Sequence, residues 1–262
     1  MPTLVPSHVP VSRPQAIGPS HPAARLYSRA RRNLLPREDR LVAVAGRWQH
    51  HLLRRLGIEP EVTLRCGSGD PATYEISERT LARLHPGLSA PALLSVVRLP
   101  AWRPDDVLRP DARLVLVADG IEYAGNLGTL VRTADAAGAD GLVLTNATCR
   151  LTHAKVFEAS RGTVLTLPTL SYGTVAEARR GLAAAGFTAY VADPAAATPY
   201  LDVDYTHQKV AVVVGSEGEG VAAAWRTPDL TRVSIPMRGR ADSLNVAASA
   251  SVLLFDARAR LR

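Results

Sequence analysis

The chain has 262 residues, of which 47% are apolar, enough for one large or two modest domains with buried cores. No apolar run reaches the roughly 18 residues that cross a bilayer, and the N-terminus lacks the pattern of a secretory signal, which argues against both membrane insertion and secretion. Its two cysteines, Cys66 and Cys149, argue against a disulfide framework or a metal site, so the expected location is the reducing cytoplasm.

The net charge of +7 lies entirely in the first part of the chain. Residues 1–110 hold 16 Arg against nine acidic residues, whereas residues 111–262 hold 15 residues of each sign. Positive charge confined in this way attracts a phosphate backbone, and arginine forms bidentate phosphate contacts. A GC-rich genome would explain the preference for Arg over Lys but not the asymmetry. We therefore expect the N-terminal part to contact a nucleic acid.

Residues 1–32 predict a flexible, basic N-terminal extension. Residues 1–20 contain several prolines and little periodicity, and Arg25, Arg29 and Arg32 follow at helical spacing. These arginines fit either the solvated face of an ordinary helix or an arm that follows RNA phosphates.

Residues 33–104 predict a small α/β domain. Apolar segments at 41–45, 62–64 and 93–97 have the composition of strands, and an amphipathic helix over 47–56 and a helix capped by Ser77 lie between them. A Pro- and Asp-containing stretch at 100–111 has the character of a linker.

Residues 105–262 predict a regular α/β domain with a parallel sheet. The predicted strands are 114–118, 142–144, 164–167, 188–192, 210–214 and 233–235, and the predicted helices are 126–138, 153–160, 174–186 and one that starts near Asn245. Because the strands are almost continuously apolar, the sheet should be covered on both faces.

The first of three motifs in this domain runs from Asn126 to Ala134. Arg132 stands among apolar residues, and a partly buried guanidinium needs an anionic partner. That partner is either Asp135, in a purely structural ion pair, or a phosphate of a substrate.

The second motif is the glycine-rich stretch Gly215–Gly220, which directly follows a buried strand. It lacks the Gly-Lys-Ser/Thr of a phosphate loop and the glycine spacing of a dinucleotide site. Glu217 and Glu219 would repel phosphates and would suit a cationic or hydroxyl-rich ligand. A structural turn and a ligand site at the carboxyl end of a strand are both compatible with the motif.

The third motif runs from Ile235 through Gly239 to Ser243 and Asn245. Ser243 either caps the last helix or belongs, with Asn245, to a ligand wall. The run of small residues at 247–251 indicates that another backbone lies close to this helix.

Taken together, the order and spacing of the three motifs resemble the SpoU/TrmH family of RNA 2′-O-ribose methyltransferases, in the SPOUT superfamily, from Leu114 to Arg260. The resemblance implies a parallel sheet with a deep trefoil knot, S-adenosylmethionine as cofactor, and a homodimer with each active site near the subunit interface. The N-terminal module is similar to the ribosomal-protein-like α/β domain that binds substrate RNA in this family.

Matched position in the family motifs implies roles for individual residues. The catalytic residues would be Asn126, Arg132, Glu217, Ser243 and Asn245. The cofactor contacts would be Ala192, Gly215, Ile235, Met237 and Leu244. Residues 159–162 also resemble the antibiotic-resistance ribosomal RNA methyltransferases, which suggests Arg161 as an RNA contact beside Arg25, Arg29 and Arg32.

The predicted function is therefore S-adenosylmethionine-dependent methylation of a ribose 2′-hydroxyl, with 23S ribosomal RNA favoured as the substrate. The alternatives are a tRNA ribose methyltransferase, a base methyltransferase on the same fold, and a non-catalytic RNA-binding or assembly factor. The predicted partners are RNA and a second copy of the chain, without a membrane or a metal.

Overall fold

A computed structural model describes residues 14–206 and 208–261. The described residues form two compact units. The first combines residues 14–31 with 43–97, and the second combines residues 32–42 with 98–206 and 208–261. Within the described ranges, no helix is both long enough and apolar enough to span a bilayer.

The first unit is built around a mixed sheet. The strands are β1 (Gln15–Ile17), β2 (Leu41–Ala45), β3 (Val62–Cys66), β4 (Tyr74–Ile76) and β5 (Ala92–Arg98), and the helices are α1 (Pro22–Arg31), α2 (Arg47–Arg55) and α3 (Glu78–Leu84). The strand order is β1-β4-β3-β5-β2, with β4 parallel to β1 and β3, and β5 antiparallel to β3. Ser77 caps α3 as predicted, because its hydroxyl accepts a hydrogen bond from the Thr80 N–H at 3.2 Å.

The predicted flexible extension over 1–32 needs correction for its described part. Residues 15–17 form β1, and α1 buries Ala24, Tyr27 and Ala30. The Tyr27 hydroxyl also lies 2.7 Å from Nδ1 of His85. Three apolar side chains at i, i+3 and i+6 give α1 a buried face, so this segment packs instead of remaining flexible. Residues 1–13 lie outside the described residues.

The second unit contains a six-stranded sheet. Its elements are α4 (Pro104–Val107), β6 (Leu114–Asp119), α5 (Ala124–Ala136), β7 (Gly141–Thr145), α6 (Ala154–Ser160), β8 (Thr169–Ser171), α7 (Val175–Ala184), β9 (Phe187–Ala192), β10 (Lys209–Val214), β11 (Thr231–Val233) and α8 (Val246–Arg260). The strand order is β11-β9-β10-β6-β7-β8, and each of these neighbouring pairs is parallel. The predicted parallel α/β sheet is confirmed.

The core of the second unit lies on both faces of this sheet. On one face, Val117 and Val213 pack in a cluster with Leu182 of α7 and the fully buried Trp225. On the other face, α5 and α8 contact the central strands β6 and β10. Burial on both faces explains why the strand sequences are almost continuously apolar.

One predicted strand of this unit is wrong. Residues 163–165 form a 3₁₀ turn, and the strand lies further on, at β8. Arg161 and Gly162 have φ values of +55° and +83°, which end the preceding helix. The Thr163 hydroxyl donates to the carbonyl oxygen of Ser160 at 2.8 Å. Local hydroxyl-to-backbone bonds of this kind compete with strand pairing.

Residues 32–42 pack with the second unit, so its boundary differs from the predicted start at residue 105. Arg150 donates to the carbonyl oxygen of Leu35 at 2.9 Å, and the Thr152 hydroxyl donates to Oδ1 of Asn33 at 3.3 Å. Hydrogen bonds to one backbone carbonyl and one side chain hold this segment in place, which its sequence did not indicate.

Gly128 of the first motif is required by helix packing. A Cβ at this position would lie 2.6 Å from the carbonyl oxygen of Val156 and 2.7 Å from Cβ of Ala159, both on α6. The α5 and α6 backbones therefore approach each other more closely than any side chain would allow.

Gly128→Ala should lower the free energy of unfolding by about 1–3 kcal/mol, because the added methyl group forces the two helices apart. Gly125→Ala is the matched control on the same helix, since a Cβ there meets nothing within 4 Å. It should be neutral or slightly stabilising. Thermal and urea unfolding followed by circular dichroism would measure both, and equal stability of the two variants would contradict the packing argument.

Candidate functional site

The candidate site is a cavity of about 390 Å³ at the carboxyl edge of the parallel sheet. Strands β9, β10 and β11 end at this cavity with Ala192, Val214 and Val233. The segment that leads into α8 forms the opposite wall, with Ser243, Leu244 and Val246. Parallel sheets bind ligands at this edge, where loops from several strands converge.

The glycine-rich turn after β10 is folded tightly on itself. The N–H groups of Ser216 and Gly220 each donate to the carbonyl oxygen of the other residue, at 3.0 and 3.1 Å. A Cβ on Gly215 would lie 2.0 Å from the carbonyl carbon of Gly220. Only glycine can occupy this position, and the turn consequently presents Glu217 and Glu219 to solvent at the mouth of the cavity.

A buried carboxylate anchors the elements behind this turn. Asp119, the last residue of β6, is 1% exposed. It accepts hydrogen bonds from the Thr145 hydroxyl at 2.8 Å, from Nδ2 of Asn146 at 2.7 Å and from the N–H of Ala222 at 2.7 Å. The ends of β6 and β7 and the chain after the glycine turn are thereby tied to one side chain.

A chain of side-chain hydrogen bonds joins the three motifs. Nδ2 of Asn126 donates to Oε1 of Glu217, and Nδ2 of Asn245 donates to Oδ1 of Asn126 at 3.3 Å. Oδ1 of Asn245 in turn accepts from the N–H of Ala247 at 2.9 Å and so caps α8. One residue from each motif takes part, although 119 positions separate Asn126 from Asn245.

The residue that caps α8 decides whether Ser243 is a helix cap or part of the cavity wall. Asn245 is the cap residue, while the Ser243 hydroxyl donates to Oδ1 of Asp242 at 3.3 Å. Ser243 is exposed and lines the cavity, so the interpretation of Ser243 as a helix cap is wrong.

The cavity lining combines an apolar wall with an excess of negative charge. Ile235, Met237 and Leu244 contribute apolar surface. The ionisable lining residues are Asp193, Glu217, Glu219, Asp242 and Arg226. The four carboxylates therefore outnumber the single guanidinium, that of Arg226. This guanidinium donates to the backbone carbonyl oxygen of Glu219 at 2.7 Å. Such a lining favours a ligand that is partly apolar and carries positive charge.

The structure brings together most of the residues that the sequence singled out. All five predicted cofactor residues line the cavity: Ala192, Gly215, Ile235, Met237 and Leu244. Glu217 and Ser243 line it as well, and Asn126 and Asn245 are bonded to Glu217 directly or through one side chain. Their individual roles stay predictions.

Arg132 does not join this group, and its predicted partial burial is wrong. Six residues of an α-helix turn a side chain through about 240°, so Arg132 points away from the side of α5 that carries Asn126. Arg132 is exposed, and among the described residues it forms no ion pair with Asp135, which rules out the purely structural interpretation. Arg161 is also exposed, in a left-handed conformation at the end of α6.

Sequence reasoning missed three acidic residues of the site. Asp193 lines the cavity immediately after β9, and it forms an ion pair with Arg232 at 3.1 Å. Asp119 and Asp242 were not singled out either. The position of Asp119 and Asp193 at the ends of apolar strands was the available signal, since polar residues there reach the ligand edge of a parallel sheet. Over the described ranges, no group of three or more His, Cys, Asp or Glu side chains is arranged to hold a metal ion.

Comparison with known proteins gives a consistent result. Residues 113–255 match the SpoU rRNA Methylase family. A 23S rRNA (guanosine(2553)-2′-O)-methyltransferase, RlmP, of Bacillus subtilis is 34% identical over 147 residues, which cover 56% of this chain and 58% of that protein. The chain thus spans little more than half the length of this relative.

Two further similarities extend over more of the chain. A 23S rRNA (uridine(2479)-2′-O)-methyltransferase of Streptomyces viridochromogenes is 31% identical over 221 residues, covering 81% of this chain and 71% of that protein. The crystal structure of the SpoU methyltransferase AviRb from Streptomyces viridochromogenes, in complex with the cofactor AdoMet, superposes with a TM-score of 0.77 at 25% identity, over 90% of this chain and 96% of that one.

Asp119→Asn should destabilise the second unit by about 1–3 kcal/mol, because an amide replaces one acceptor oxygen with a donor and leaves a buried N–H or hydroxyl without its partner. Asp135→Asn is the control, since Asp135 is exposed on α5. Urea unfolding at neutral pH would measure the difference. Unchanged stability of Asp119→Asn would show that the carboxylate does not anchor this edge of the sheet.

Proposed function

The chain belongs to the SpoU rRNA methylase family, and we propose that it transfers the methyl group of S-adenosylmethionine to a ribose 2′-hydroxyl of ribosomal RNA. The observation that carries this proposal is the meeting of the three motifs. The second and third motifs line one cavity, and Asn126 of the first is hydrogen-bonded to both Glu217 and Asn245. The names of the two relatives, both 23S rRNA 2′-O-methyltransferases, support ribosomal RNA as the substrate.

The residues of the cavity fit the proposed cofactor. Its volume of about 390 Å³ lies within the usual range for small-molecule sites. Ile235, Met237 and Leu244 provide apolar surface for a flat purine ring, and the carboxylates suit a sulfonium and an ammonium group. Gly215 leaves the end of β10 free of side-chain atoms, so backbone groups there can contact the ligand closely. When bound, S-adenosylmethionine supplies an electrophilic methyl group on a cationic sulfur.

The residues at the mouth of the cavity would orient the ribose. Asn126 holds the carboxylate of Glu217, which is exposed at the cavity mouth and can accept a hydrogen bond from a ribose hydroxyl. Ser243, which also lines the cavity, offers a hydroxyl group. Methyl transfer depends on an in-line approach over roughly 3–3.5 Å, so a rigid hydrogen-bonded mouth lowers the barrier by positioning the hydroxyl.

Arg132 would act as a phosphate clamp and not as the base. A guanidinium group holds its proton firmly, which makes it a poor proton acceptor. Arg132 lies on another side of α5 from Asn126, so in the proposed homodimer the Arg132 of a second copy would complete the site. The homodimer and the deep trefoil knot are part of this proposal, and the family resemblance supports both. The cytoplasmic location stays a prediction.

The first unit would contribute RNA affinity. Arg25 and Arg29 are exposed on α1, opposite its buried face, and Arg32, the first residue of the second unit, is exposed as well. Their exposure fits contacts with phosphates, and we propose these three residues together with Arg161 as RNA contacts. The ribosomal-protein-like character of this unit, with domain limits at 33–104, remains a prediction.

The purified protein should convert ribose hydroxyls of 23S rRNA transcripts to 2′-O-methyl groups in the presence of S-adenosylmethionine. Nuclease digestion and mass spectrometry of the nucleosides would identify the product, with tRNA as the parallel substrate. A base-methylated nucleoside would contradict ribose chemistry, and methylation of tRNA alone would contradict the ribosomal substrate. Cofactor and RNA binding without any product would favour the non-catalytic assembly factor.

Arg132→Ala should reduce methyl transfer at least 100-fold while S-adenosylmethionine affinity changes by less than a few-fold, because a phosphate clamp positions RNA and not the cofactor. Single-turnover kinetics and isothermal titration would measure the two quantities. Arg180→Ala, which removes an exposed arginine of α7, is the control. Equal loss of activity and cofactor affinity in Arg132→Ala would indicate a structural role instead.

A further inference from the structure

A second concave surface lies within the second unit, separate from the cofactor cavity. It consists of two adjoining cavities of about 540 and 410 Å³, which share Cys149 and Arg150 in their walls. We call this surface the basic groove. The larger cavity is lined by Arg37, Arg40, Asn146 and Tyr172, among others, and the smaller by Tyr123, His153 and Lys155.

The groove is strongly positive, although the second unit as a whole carries little net charge. Its walls contain Arg37, Arg40, Arg150 and Lys155, and Glu122 is the one acidic residue that lines it. The cofactor cavity, by contrast, has an excess of carboxylates. The two concave surfaces of one unit therefore suit ligands of opposite charge.

Two of the four cations have structural partners and two do not. Arg40 donates to the carbonyl oxygens of Leu99 and Pro100, and Arg150 donates to that of Leu35. The side chains of Arg37 and Lys155 are exposed, and no described residue forms an ion pair or hydrogen bond with them. Arg37 lies in the larger cavity and Lys155 in the smaller, so an available cation is present in each part of the groove.

An aromatic side chain stands in each part as well. Tyr123 is 63% exposed, so its ring is accessible to a ligand. Tyr172 is half-buried in the wall of the larger cavity, and its hydroxyl packs close to Gly181 of α7. His153 adds no firm positive charge, because burial, followed by the charge of Lys155, lowers the pKa of its ring. Its Nδ1 already accepts the N–H of Lys155.

The basic groove is connected to the candidate site by short covalent and hydrogen-bonded links. Tyr123 is the cap residue of α5 and stands one helical turn before Asn126. Asn146, in the larger cavity, donates to the buried Asp119 that anchors the strand ends. A strand that follows the groove would therefore arrive beside Asn126 and Glu217.

We propose that the basic groove binds the single-stranded segment of RNA next to the methylated nucleotide, with a base stacked on Tyr123 and phosphates contacted by Lys155 and Arg37. Alternating aromatic and cationic groups along a groove is the arrangement that binds unpaired strands, because each base offers a π-face and each linkage a negative charge. The biological role of the groove rests on the proposed methyl transfer. Its test does not, because the test measures RNA binding directly.

The test is fluorescence anisotropy with a labelled, single-stranded RNA of about ten nucleotides and mixed sequence, titrated at several salt concentrations. Tyr123→Ala should weaken binding by roughly 5- to 100-fold, as expected for a lost stacking contact, while Tyr123→Phe should bind like the unchanged chain. Arg37→Ala and Lys155→Ala should each reduce the slope of log affinity against log salt by roughly 0.7. Arg37→Lys and Lys155→Arg keep the positive charge and should retain the salt slope of the unchanged chain.

Arg180→Ala is the matched control, because it removes the same charge from an exposed position of the second unit outside the groove. Circular dichroism would establish that every variant folds.

If the groove variants bind RNA with the affinity and salt slope of Arg180→Ala, the inference is wrong, even where the unchanged chain methylates RNA. If a duplex of the same sequence binds as tightly and depends equally on Tyr123, the preference for an unpaired strand is wrong. If the groove variants lose RNA binding but the unchanged chain transfers no methyl group, the proposed function is wrong and the inference about the groove stands.

Discussion

The arrangement of the candidate site depends on one buried carboxylate. Asp119 lies at the end of β6, where a charge would be very costly without partners. It accepts hydrogen bonds from the last residue of β7, from the residue that follows it, and from the chain after the glycine turn. These donors come from two separate stretches of the chain. The glycine turn and the groove residue Asn146 are thus positioned by the same side chain, which places the cofactor cavity and the basic groove at one edge of the sheet.

Charge is distributed over this edge in a way that separates two kinds of ligand. Carboxylates surround the cavity at the ends of β9 and β10, and cations line the groove beside β7. A cationic cofactor and an anionic strand would each be attracted to one surface and repelled from the other. The hydrogen bonds that join Asn126 to Glu217 and to Asn245 lie at the mouth of the cavity, where a hydroxyl of the strand could meet the cofactor.

Much of the fold and the site could be predicted from the sequence, because several patterns had only one reasonable physical explanation. Continuous apolar strands predicted the parallel sheet, and the predicted family is confirmed by the comparisons. The five predicted cofactor residues line one cavity. The errors arose where local composition was ambiguous. The apolar residues at 164–167 suggested a strand that does not form. The apolar neighbours of Arg132 suggested that it is partly buried, but they lie on other sides of α5, and Arg132 itself is exposed.

The sequence by itself determined the strands, the glycine-rich turn and the identity of the polar residues near the strand ends. These depend on periodicity and on side-chain chemistry, which are local. Only the tertiary structure decided that Asn126 forms hydrogen bonds with both Glu217 and Asn245. It also decided that residues 32–42 pack with the second unit. The common groove of Tyr123, Lys155 and Arg37 is likewise a result of the tertiary structure. Such contacts join residues about a hundred positions apart, and the packing of the helices and strands between them sets these distances.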